Sequence, residues 1–170
     1  MEVSEAKVME YTRRIMLSRM RILCDNGFYG LLLMHIKMNI GQEHETAWTK
    51  GMDRIYLNPQ FLEQISDREL DYVLMHLVLH IVLRHMGRKG NFEEKCFNLA
   101  ADIVVNANIL RSCGGDESFI SLQAYGGVQP NTAPNGKEGW RYTLEEIYDM
   151  LRGRAAAESQ RGERGKKENG

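Results

Sequence analysis

A chain of 170 residues, 43% of them hydrophobic, is long enough for one domain with a sizeable core. Its formal charge of −1 gives no global electrostatic pull toward nucleic acid or an anionic membrane, so neither is expected as a partner. Three widely separated cysteines, Cys24, Cys96 and Cys113, argue against a dense disulfide framework or a CxxC zinc site.

The first residues, Met1 to Lys7, are charged and lack the apolar core of a signal peptide, and later apolar runs are too short to span a bilayer, so a cytoplasmic setting is expected. From Glu5 to Cys24, the spacing of Val8, Tyr11, Ile15 and Leu23 predicts an amphipathic helix ending at Asp25-Asn26-Gly27. Phe28 to Ile40 and Arg54 to Leu57 read as strands, with Gly41 to Gly51 as the loop between them. Pro59 to Leu62 begins a short helix, and Ser66-Asp67-Arg68-Glu69 is a capping box that opens a long one. Leu70, Val73, Leu74, Leu77, Val78, Ile81 and Val82 make that helix apolar over much of its circumference, and Gly87 to Asn91 should end it. A further helix is expected over Glu94 to Leu110, then a long Gly-, Pro- and Asn-rich loop from Cys113 to Gly139. Thr143 caps a last short helix, and from Gly153 the chain has almost no large apolar residue. The expected organisation is a domain over residues 5–151 and a disordered tail or linker over 152–170.

His76 and His80 stand four apart on the buried helix, so both imidazoles can aim at one point. Zinc needs three or four N, O or S ligands, so another element must supply a partner. At roughly 100° per residue, His85 falls on the far side of a continuous helix from His76 and can join only if the helix breaks first. Asp102 lies in Asn98-Leu99-Ala100-Ala101-Asp102-Ile103-Val104-Val105-Asn106, where Asn98, Asp102 and Asn106 form a polar stripe on an apolar helix. The expected ligands are His76, His80 and Asp102, with Asn98 and Asn106 hydrogen-bonding around them. A metal-free polar cluster is the alternative. Imidazole and carboxylate together favour zinc, with nickel, cobalt or iron as competitors.

The segment from Glu69 to Arg88 and the helix from Asn98 to Asn106 resemble the metallopeptidase domain found N-terminal to von Willebrand factor A-like domains in bacterial proteins. That family shows an HExxHxxxxHxxR helix followed by Asn-x-Ala-x-Asp-x-x-x-Asn. Tyr56-Leu57-Asn58-Pro59 and Glu145-Glu146-Ile147-Tyr148 are similar to its flanking pieces. The resemblance implies a zincin-like α+β fold, with helices on a small mixed sheet. It also implies a following von Willebrand factor A-like domain and an AAA-type ATPase as partners.

One position departs from the motif: His76-Leu77-Val78-Leu79-His80 carries Leu77 where the family has glutamate. In an HExxH peptidase that glutamate takes a proton from the attacking water and passes it to the leaving amine. A positioned general acid–base group is worth about 10²–10⁴-fold in rate, and an alkyl chain supplies none of it. The expected function is therefore a catalytically impaired pseudopeptidase that binds a peptide or protein. The alternatives are an active zinc peptidase with a relocated base, for which Glu93 and Glu94 are candidates, and a metal-free scaffold.

Overall fold

The computed structural model describes the backbone of residues 4–167 and the side chains as far as residue 157. Its elements are those of an α+β protein, with seven α-helices and a small mixed sheet among the described residues. No helix among them is long and apolar enough to cross a membrane. The chain divides into two units, Met1–Arg88 with Ile109–Gln129, and Lys89–Asn108 with Pro130–Gly170.

In the first unit, α1 (Glu5–Asp25) starts at Ser4, whose hydroxyl accepts from Lys7 N–H. It buries Tyr11, Ile15, Ser18 and Ile22, one stripe at helical spacing. The apolar stretch expected to be a strand from Phe28 to Ile40 is helical over most of its length: α2 spans Gly27–Met34, and only Lys37–Ile40 forms a strand, β1. A short apolar run suits either conformation, and packing decides it. Gly30 sits so close to α1 that a Cβ there would come within 2.4 Å of Leu23 Cα, while Arg19 Nη2 donates to Leu33 O at 2.8 Å.

The expected loop from Gly41 to Gly51 contains a further strand, β2 (Ala47–Lys50). It runs antiparallel to β3 (Arg54–Leu57), β1 runs parallel to β3, and the sheet order is β1-β3-β2. Trp48 and Tyr56 are cross-strand partners and stack with centroids 5.2 Å apart, which fixes the register despite the polar sequence around them. Asn58 then caps α3 (Pro59–Gln64) and donates to His44 O at 2.7 Å.

Helix α4 (Asp67–Val82) begins at the expected capping box between Ser66 and Glu69. Glu69 also accepts from Gln123 N–H at 2.7 Å. Burial opposes ionisation of Glu69, but these hydrogen bonds together hold its carboxyl below the usual range. Two arginines of α1 pin this end: Arg14 bonds Asp67 and the carbonyls of Leu62 and Ile65, and Arg21 pairs with Asp71 at 2.7 Å. Along α4, Leu70, Tyr72, Val73, Leu74, Met75, Val78, Leu79 and Ile81 are buried. The unit closes after residue 112 with two 3-10 turns and the short pair β4 (Ser121–Leu122) and β5 (Gly127–Val128), part of the stretch expected to be loop.

In the second unit, Glu93 caps α6 (Glu94–Ser112), its carboxylate accepting from the N–H groups of Lys95 and Cys96. The last turn of this helix belongs to the first unit. Tyr148 of α7 (Leu144–Lys167) accepts from Glu93 N–H at 3.0 Å and packs edge-on against Phe92. Thr143 and Glu146 form a capping box at the start of α7. The stretch expected to be a tail from 152 continues α7 as far as Lys167, and its last three residues lie outside the described residues.

Candidate metal centre

The middle of α4 carries a chain of polar contacts on an otherwise apolar helix. Tyr72, His76 and His80 recur every fourth residue and so fall along one face. Tyr72 Oη lies 3.3 Å from His76 Nδ1, and His76 Nε2 lies 3.0 Å from His80 Nε2. His80 Nδ1 in turn lies 3.0 Å from His85 Nδ1. Both histidines of the pair are half-buried, and His85 is only 2% exposed.

His85 reaches His80 because the helix stops. Leu83 caps α4, and Arg84 follows with φ 55°, the one positive φ of a non-glycine residue among those described. That turn redirects the chain into α5 (His85–Arg88), meeting the condition set by the spacing argument. Arg88 Nη1 donates to Leu83 O at 3.4 Å and helps to satisfy the interrupted helix end.

The histidine pair fits a metal ion by donor chemistry and by distance. Two imidazole nitrogens each about 2.0–2.1 Å from a tetrahedral zinc lie about 3.3–3.4 Å apart. The two Nε2 atoms are within a few tenths of an ångström of that separation. His85 stands at the opposite edge of the His80 ring, toward Nδ1.

Leu77, at the glutamate position, is only half-buried. A carboxylate there would keep part of its hydration, so burial alone does not account for the alkyl side chain.

On α6, Asp102 is half-buried between the buried Ala101 and Ile103. Asn98, one turn earlier, is exposed. Asn106, one turn later, is 1% exposed and its Nδ2 donates to Pro130 O at 2.8 Å, anchoring the following loop. His76 and His80 belong to the first unit and Asp102 to the second. Both candidate replacement bases have work within their own unit. Contacts from Cys96 and the Lys95 N–H hold the Glu93 carboxyl below the usual range, and Glu94 pairs with Lys89 at 2.8 Å.

Sequence reasoning missed Tyr72 and the contact that His85 makes. Tyr72 was legible from the spacing 72, 76, 80, whereas nothing in Leu83-Arg84 signals a turn. Beside Tyr72, in the first unit, a cavity of about 210 Å³ is lined by Ile22, Met75 and Phe119 together with Arg21, Arg68 and Asp71.

No curated protein and no solved structure matches the chain. A family model described as "Putative metallopeptidase domain" matches residues 10–170, and the chain belongs to that family.

Proposed function

We propose, with this family membership as the premise, that the protein is a zincin-like domain that binds a divalent ion but is impaired as a peptidase. His76, His80 and Asp102 are the ligands, zinc is the preferred ion, and Asn98 and Asn106 support them. The observation that carries the reading is the 3.0 Å approach of the two Nε2 atoms, with each outer ring nitrogen in contact with another side chain. That is how ligand histidines are commonly oriented.

A bound zinc ion supplies Lewis acidity toward a peptide carbonyl. The chain's own residues limit what can be done with it. His76 and His80 hold their lone pairs on one point, and Leu77 can neither take a proton from water nor give one to a leaving amine. Glu93 and Glu94, committed to a helix cap and an ion pair, give the relocated-base alternative little support. The domain then works by holding a peptide or protein segment, and the cavity beside Tyr72 is a size that receives a side chain. The resemblance of its motifs extends the proposal to a bacterial cytoplasmic setting beside a von Willebrand factor A-like domain and an AAA-type ATPase.

Elemental analysis of the purified chain tests the metal. The expected result is about one zinc per chain, lost in His80→Ala without loss of helical circular dichroism. A wild-type protein that takes up no zinc, nickel, cobalt or iron at stoichiometric concentration would leave only the metal-free scaffold.

A further inference from the structure

We propose that His85 is a positioning residue for His80, holding its ring and tautomer in the form that can ligate, and is not itself a ligand. The inference rests on the metal reading of the histidine pair. The two nitrogens of an imidazole point in diverging directions. His80 turns Nε2 toward His76 and Nδ1 toward His85, so the nitrogen that would hold an ion together with His76 is the one on the ring edge away from His85.

A neutral imidazole carries one proton. For His80 to offer a lone pair at Nε2, its proton must sit on Nδ1, where the partner at 3.0 Å is His85 Nδ1. His85 must therefore accept, which places its own proton on Nε2. With the opposite tautomer, His85 would donate to His80, move the His80 proton to Nε2 and block ligation. At His76 the same part falls to Tyr72, whose oxygen accepts from Nδ1–H.

The backbone around His85 suits a fixed partner. The ring is 2% exposed, and its cross-ring contact with His80 is edge-on, with centroids 4.9 Å apart. It is delivered by Arg84 in a left-handed conformation that L-residues rarely adopt. A helix continuing through Arg84 would carry residue 85 away from this face.

Zinc affinity, read by chelator competition on the full chain, compares wild type with His85→Leu and His85→Asn. Leucine fills space but accepts no hydrogen bond; asparagine can place its amide oxygen near the site of Nδ1. His85→Leu should bind about 10–100-fold more weakly, and His85→Asn should recover most of that loss. The cobalt-loaded visible spectrum should shift in the leucine variant alone. Nitrogen NMR of the zinc-loaded wild type should find the His80 proton on Nδ1. Equal affinity in wild type and His85→Leu, an asparagine variant as weak as leucine, or a His80 proton on Nε2 would each overturn the positioning role while leaving the metal site standing. A wild type that binds no zinc would overturn the metal reading and this inference with it.

Discussion

The two ends of α4 are built on opposite principles. At its start, every device is local and regular: Ser66 and Glu69 exchange capping hydrogen bonds, acidic residues occupy the first turn, and Arg14 and Arg21 reach across from α1. At its end, the helix stops at a non-glycine residue with φ 55°, and three histidines stand in a row, each within hydrogen-bonding distance of the next. The start serves stability. The end accepts strain to bring side chains together, the pattern expected of a functional site.

Mutations should separate the two ends. The largest effect on stability belongs to the start: Ser66→Ala should cost about 1 kcal/mol in denaturant unfolding and leave zinc affinity unchanged. A loss of zinc binding in that variant would show that the ends are not independent.

Acid sharpens the same contrast. The folded Glu69 carboxyl lies below its ordinary value of 4.5. Its contribution is therefore fully present above about pH 4.5 and is lost as pH falls through the folded value. The difference in melting temperature between wild type and Glu69→Gln should narrow as the solution is acidified. A gap that stays constant through that range would contradict the role given to the carboxylate.

The smallest effect belongs to the strained turn. Arg84→Gly removes a left-handed penalty of about 1–2 kcal/mol but adds about 0.5–1 kcal/mol of backbone entropy loss. A modest net stabilisation should result, with zinc affinity retained. A clear destabilisation in chemical unfolding would mean that the exposed Arg84 side chain does more than occupy the turn.

The same contrast explains what could be read from the sequence. Ser66 to Glu69, Asn58-Pro59 and Thr143 are local signals with local causes, and the helices they start are where they were expected. The end of α4 was not legible, because Leu83 and Arg84 are good helix formers and the first glycine comes at Gly87. Nor was α2, whose apolar run takes its helical form in the packing of Gly30 against Leu23. β2 was hidden among polar residues and depends on the pairing of Trp48 with Tyr56 across strands. The His76–His80 pair was legible from its spacing of four. The part played by His85 was not, since it depends on one backbone angle.

The central claim, a metal site without a proton carrier, is tested most directly by assaying the zinc-saturated full chain against a mixture of unstructured peptides. With Leu77 in place of the glutamate, hydrolysis should stay at the level of a zinc chelate in water. Zinc-dependent cleavage well above that level, abolished by His76→Ala, would contradict the account and require a base from elsewhere in the chain or from a partner.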